Sequence, residues 1–243
     1  MARAVQYHLR VGDLVGRSLS IYFSNFLPFA LLAALAFAPW FAVQLYIEAN
    51  LAELDENSTA LFLALAGIMS ALASQMLTGA LTYAVVQRLR GTSPSLGSVL
   101  AMGAKSFFRV LVVSLVVGIL VGIGSVLLVV PGLILMTWFY VAIPVAVLEG
   151  KNLASLGRSR SLTDGNRWPI FGAVVLAMVI IGGIGAVIGI AIVANDLTMP
   201  AWVEFAINIV FGPFGAAMPA TCYFLLRTGK ENVDAKEVAA VFD

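Results

Sequence analysis

A chain of 243 residues with 61% hydrophobic and only 11% charged side chains has too few charges to cover a water-facing surface. Soluble domains keep roughly 45–50% apolar and about 25% charged residues, so a mean hydropathy of +0.99 places most of this chain in lipid. The net charge of +1 leaves no footprint for nucleic acid. One cysteine, Cys222, excludes an intrachain disulfide, and one histidine, His8, leaves zinc sites and histidine-based triads without ligands or a base. No metal or other cofactor is expected.

The chain reads as a single polytopic membrane domain over residues 1–243, with an amphipathic leader at 1–25, a six-span bundle at 26–226 and a tail at 227–243. The fold class is an all-α membrane protein whose six transmembrane helices form three hairpins, each preceded by a cytoplasmic interfacial amphipathic helix. In the leader, Val11, Leu14, Val15, Leu19, Tyr22 and Phe23 fall at helical spacing, with Asp13, Arg17, Ser20 and Ser24 opposite. No signal peptide is expected ahead of it, and the first span should serve as the insertion signal and stay in the mature protein.

A helix needs about 20 apolar residues to cross a hydrocarbon core of about 30 Å. Six runs meet or approach that length: Phe26–Ile47, Ala60–Val86, Val110–Val130, Leu133–Leu148, Pro169–Ala194 and Met199–Leu226. The third and fourth lie in one uncharged stretch reversed at Pro131-Gly132, a pair suited to a tight turn and a helix start. A hairpin that enters the bilayer without crossing it is the alternative there. The third span follows Ser93-Pro94 and an apolar stripe of Leu96, Val99, Leu100 and Phe107; the fifth follows a weaker stripe of Leu153, Leu156 and Leu162.

Charge placement tests the count independently. Arg3, Arg10 and Arg17 precede span one, and Arg88, Arg90, Lys105 and Arg109 lie between spans two and three. Lys151, Arg158, Arg160 and Arg167 lie between spans four and five, and Arg227, Lys230 and Lys236 follow span six. All fall on one side of an even-span topology, while Glu48, Glu53, Asp55, Glu56 and Asp196 fall on the other. The positive-inside rule then puts both termini in the cytoplasm. Leader one also repeats before span five: Gly16, Arg17, Ser18, Ser20, Asn25 and Pro28 match Gly157, Arg158, Ser159, Ser161, Asn166 and Pro169 at a constant offset of 141. Repeats in the same orientation pack around an axis along the membrane normal.

Candidate polar residues at membrane depth are Glu204, Asn208 and Gln75. Glu204 begins span six near the outer headgroups, Asn208 is one turn deeper on the same face, and Gln75 on span two completes a possible polar set. Interhelical hydrogen bonding as glue is the plainer reading. Gly118-x-x-x-Gly122 and Gly185-x-x-x-Gly189 predict smooth faces for close helix approach within the bundle, or with a second copy. Gly212-Pro213, Gly215 and Pro219 predict a break in the middle of span six. Arg17, Lys151, Arg158, Arg160 and Arg167 are candidates for contact with anionic headgroups on the cytoplasmic side, against the plainer reading as positive-inside anchors.

Pro131-Gly132, an apolar run with Trp138 and Pro144, Glu149-Gly150, Ser159/Ser161-Leu162-Thr163 and Gly165-Asn166-Arg167-Trp168 follow one another in an order that resembles the YciC-like family. The order is also similar to the membrane domain fused ahead of the catalytic domain in some glycerophosphodiester phosphodiesterases. Gly12, Arg17, Tyr22 and Asn25-Phe26 resemble that family's start. The resemblance implies an inner-membrane helical protein and brings no catalytic residue with it. Together these features predict a non-enzymatic component of the inner membrane that organises lipid or a partner membrane complex, another protein or itself. The alternative is a transporter or channel for a small solute or lipid using the polar set in spans two and six. Reporter fusions at either terminus should report the cytoplasmic side, and protease added from the periplasm should leave Arg90 and Arg160 uncut; cleavage at either arginine breaks the topology.

Overall fold

The computed structural model describes residues 8–50, 54–194 and 200–231, and all regular structure among them is helical. Arg3, Glu53, Asp196, Met199 and Lys236 lie outside the described residues. Helix α1 (Val11–Ser24) leads to α2 (Phe26–Ala49) and α3 (Glu56–Leu89). The middle of the chain forms α4 (Leu96–Leu127), α5 (Val129–Trp138) and α6 (Ala142–Leu148). Then come α7 (Ala154–Thr163), α8 (Arg167–Ala194) and α9 (Ala201–Glu231). Six segments are long and apolar enough to cross a bilayer, with α5 and α6 together forming the fourth.

The repeat read from the leader extends through a whole unit. At the same offset of 141, Leu14, Ser18, Tyr22, Asn25 and Phe29 correspond to Ser155, Ser159, Thr163, Asn166 and Ile170, and every one of these ten is buried. The amides of Phe29 and Ile170 bond in turn to the carbonyls of Asn25 and Asn166. The correspondence continues into α3 and α9, where Leu77, Ala80, Leu81, Ala84 and Val85 match Met218, Thr221, Cys222, Leu225 and Leu226, again all buried. The unit α1–α2–α3 therefore recurs as α7–α8–α9.

The middle unit departs from this plan. The stretch expected to lead span three is not a separate helix: it runs unbroken into the span as α4. Ser106, Val110 and Val113 are buried at the spacing of Ser18, Tyr22 and Asn25. In the first unit the Asn25 amide side chain bonds back to the Ile21 carbonyl and the backbone leaves the helix at φ −123°. Valine has no such group, and the helix continues through Val113.

Breaks fall elsewhere than the prolines of span six suggested. Helix α9 is continuous through Pro213 and Pro219. Pro213 supplies no N–H to the Ile209 carbonyl, and at the adjacent residue the Tyr22 hydroxyl donates to the Val210 carbonyl. Span four is the interrupted one. Phe139 and Val141 leave helical geometry between α5 and α6. Pro144 explains the position, because its ring clashes with the carbonyl four residues back, at Tyr140, and supplies no N–H to it.

Packing is tight at one end and loose at the other. In its most apolar window α9 is 67% buried, whereas the corresponding window of α8 is 0% buried, so α9 is the bundle's axis and α8 a peripheral helix. The distal parts of α3, α4 and α8 present Leu61, Ile68, Ile119, Ile123, Val187 and Ile190 outward. Apolar exposure costs nothing in lipid, so helices there associate through close packing and polar bonds. The close packing does not use the glycine pairs read from the sequence: a Cβ added at Gly118, Gly122, Gly185 or Gly189 would meet nothing within 4 Å. The true approaches are elsewhere. A Cβ on Gly103 of α4 would lie 2.7 Å from the Met76 carbonyl oxygen and 3.0 Å from Ala80 Cβ on α3. A Cβ on Gly132 of α5 would lie 2.9 Å from Ser125 Cα on α4.

Gly103→Val and Gly132→Val should each destabilise the detergent-solubilised protein by about 1–3 kcal/mol, since backbones must separate. Gly118→Ala should be neutral or stabilising by up to about 1 kcal/mol. Thermal unfolding midpoints check this, and equal losses at Gly103 and Gly118 would contradict the packing described.

Candidate functional site

The interruption in span four decides what gathers at the tight end. A helix that stops inside a bundle leaves carbonyls without partners, and where packing shuts out water protein groups must satisfy them. The Trp138 carbonyl receives the Ser159 hydroxyl at 2.8 Å and the Thr163 hydroxyl at 3.4 Å, both from α7 and both fully buried. This fixes the serine and threonine face of α7 inward. Its arginines consequently stand at the edge of the bundle.

Two clusters result. In the first, α6 ends at Glu149, and Gly150 takes φ +67° to turn the chain. Glu149 accepts from Lys151 at 2.8 Å, from Arg158 Nε at 3.2 Å and from the Tyr223 hydroxyl at 3.2 Å. Arg227 donates to the same tyrosine hydroxyl at 2.7 Å, and Glu231 pairs with both Arg158 and Arg227. Burial acts to raise the Glu149 carboxyl, but the bonds and charges of Lys151 and Arg158 outweigh it and hold its pKa below the ordinary value. For Arg158, burial acts to lower the guanidinium, while Glu231 and Glu149 reverse this and raise it. Beside the cluster lies a cavity of about 450 Å³ whose lining includes Lys105, Arg109, Glu149 and Arg227. Arg109 is held there by the Ala146 carbonyl at 3.3 Å.

In the second cluster the Trp138 ring carries two guanidinium groups, Arg160 at 4.2 Å and Arg167 at 4.9 Å from its centroid. Each such contact is worth about 0.5–2 kcal/mol, more as water is excluded. Arg167 also pairs with Asp164 at 3.0 Å. Lys230 reaches the carbonyls of Ser161 and Asp164, which ties α9 to α7.

Of the headgroup candidates, then, Lys151 and Arg158 meet at Glu149, and Arg160 and Arg167 meet at Trp138. Arg17 stands apart on the exposed side of α1, at the repeat position of Arg158. The membrane-depth set is divided. Glu204 accepts from the Trp40 indole at 3.1 Å, and Asn208 donates to the Glu204 carbonyl at 2.9 Å. Gln75 instead accepts from the Ser114 hydroxyl of α4 at 3.0 Å. None of these three lines either cavity at the cationic end. Sequence reasoning passed over Glu149 and Tyr223 as a counter-charge and a relay. Glu149 carried a signal all the same, as an acid set directly against the basic stretch that follows span four.

The fold and its cationic end define an integral membrane protein of the polytopic helical class. Comparison with known protein families, with curated proteins and with solved structures finds no match.

Because folding lowers the Glu149 pKa, the native cluster holds its proton less tightly than the unfolded chain does. Its contribution is complete above the ordinary glutamate range and is lost as pH falls through the lower folded value. The unfolding midpoint should be flat near neutral pH and fall on acidification. Glu149→Gln should lose about 2 kcal/mol at neutral pH and flatten the acid limb; a variant that keeps the wild-type limb assigns the pH dependence to another group.

Proposed function

We propose that this protein is a non-catalytic component of the inner membrane, with both termini cytoplasmic, that organises anionic lipid around its cationic end. The observation that carries this reading is the gathering of basic side chains at one end of the bundle. Arg158, Arg160, Arg167, Arg227 and Lys230 are linked there through Glu149, Glu231, Asp164 and Trp138. Lys105 and Arg109 stand beside Arg227 in the same cavity. A collar so placed meets lipid headgroups at about 1 kcal/mol per cation. Membership of the YciC-like group fits this assignment and belongs to the same proposal.

Transport draws little support, because Glu204, Asn208 and Gln75 are each engaged with a nearby partner. A partner membrane protein, or a second copy, remains compatible with the outward apolar faces of α8 and α4.

The test is reconstitution of the full chain in phosphatidylglycerol and in phosphatidylcholine of the same acyl chains. The unfolding midpoint should be higher in the anionic lipid. Lys105→Gln/Arg160→Gln, which alters two exposed cations, should remove a good part of that difference, about 1 kcal/mol for each charge. Equal midpoints in the two lipids would defeat the proposal.

A further inference from the structure

A groove of about 450 Å³ runs between α5 and α8. Its floor and walls are Val130, Leu133, Ile134 and Phe171, and at one end it reaches Trp138 and Arg167. From Trp138 back to Val130 along α5 is about 12 Å at 1.5 Å per residue, most of the depth of one leaflet, whose hydrocarbon is about 15 Å thick. The groove is thus apolar along α5 and cationic where it meets Trp138 and Arg167. Arg160, stacked on the same indole, adds a second positive charge at that end. Two polar atoms there, Trp138 Nε1 and Arg167 Nε, are buried and have no hydrogen-bond partner among the described residues. Buried donors of this kind ordinarily have one.

We propose that this groove binds one anionic phospholipid of the cytoplasmic leaflet, its phosphodiester at Arg160 and Arg167 and one acyl chain along Ile134 and Val130. This rests on the lipid reading above and makes it specific: one seated molecule in addition to a general collar. The charge at the groove's end selects an acidic headgroup, and the length of the apolar channel requires a chain. Glycerol phosphate without chains supplies the same headgroup chemistry but leaves the channel empty. The interruption of span four builds the site, since Trp138 ends α5 while its carbonyl is bonded by Ser159 of α7. That bond sets the helix carrying Arg160 beside the indole.

The experiment uses the full chain in mild neutral detergent, titrated with phosphatidylglycerol brominated on its acyl chains. Trp138 and Trp168 both line the groove, so quenching of tryptophan fluorescence should be saturable, and brominated phosphatidylcholine should need a markedly higher concentration. Arg167→Gln should weaken the phosphatidylglycerol response about fivefold, the equivalent of one cation near the surface. Val130→Phe/Ile134→Phe, which fills the channel, should abolish the saturable part for both lipids while keeping the lipid-free unfolding midpoint close to wild type. Val130→Phe alone serves if the pair does not fold. Glycerol phosphate should not compete. Quenching that rises linearly with lipid and ignores the channel variants overturns the seated molecule; if anionic lipid still raises the unfolding midpoint, the collar stands without it. Competition by glycerol phosphate at the lipid's own concentration also overturns the proposal, in favour of a soluble phosphate ligand. No difference between the two lipids in either assay removes both.

Discussion

Much of this structure depends on one unsatisfied carbonyl. Span four cannot continue as a helix past Trp138, because Pro144 sits four residues beyond Tyr140 and its ring displaces the turn. Ala142 then donates to the Phe139 carbonyl instead of the Trp138 carbonyl, which, buried in the bundle, must find protein hydroxyls. Ser159 and Thr163 supply them from α7, a helix with polar composition that could otherwise have stayed in the aqueous layer. Once its hydroxyl face is committed inward, Arg158 and Arg160 are directed along its flanks, the first toward Glu149 and Glu231, the second onto the Trp138 ring. The electrostatics of the cationic end follow from a hydrogen-bonding requirement of the backbone.

The duplication explains which parts of the bundle carry this burden. In the first unit, Ser18 occupies the place of Ser159, yet its hydroxyl only returns to the Leu14 carbonyl of its own helix. In the third unit the equivalent hydroxyl reaches another span. The same residue type at the same repeat position thus closes a local bond in one copy and a long-range one in the other. The middle unit makes the difference: it supplies the broken span beside α7, and an unbroken α4 where the others have an asparagine-terminated leader. A contact between copies also joins the outer units, with the Leu9 amide donating to Asn166 Oδ1 at 2.6 Å.

The number of spans was legible in the sequence because it rests on composition, which is averaged over many residues, and the internal repeat because six identities recur at one offset. Individual packing contacts were not. Gly118 and Gly122 have the spacing of an interface and face nothing, while Gly103 and Gly132, with no such spacing on their own helices, lie against neighbouring backbone. A small residue permits close approach, but only the partner's position uses it. The prolines were ambiguous in the same way. Pro213 and Pro219 are accommodated in α9, where Tyr22 supplies a donor beside Pro213, whereas Pro144 coincides with a break. Glu149 was legible as a charge and not as a hub, since its partners Arg158 and Tyr223 come from segments far apart in the chain.

Tightness at the cationic end and looseness at the other are two results of one energetic asymmetry. At the headgroup level, water and lipid phosphates compete for every polar group, so a fixed geometry there needs linked ion pairs, ring contacts and buried hydroxyls, and these are what α6, α7 and α9 supply. Deeper in the hydrocarbon an apolar helix gains little by burying its side chains against protein, because acyl chains solvate them equally well. Helix α8 shows both regimes along one element: Ile170 and Ala173, near its start, are buried, and beyond Gly182 the side chains of Ile184, Val187 and Ile190 face outward. A protein built this way ties its polar end together through side-chain bonds while its spans present apolar side chains outward. The proposed organisation of anionic lipid rests on that division between a bonded cationic end and spans whose apolar side chains face outward.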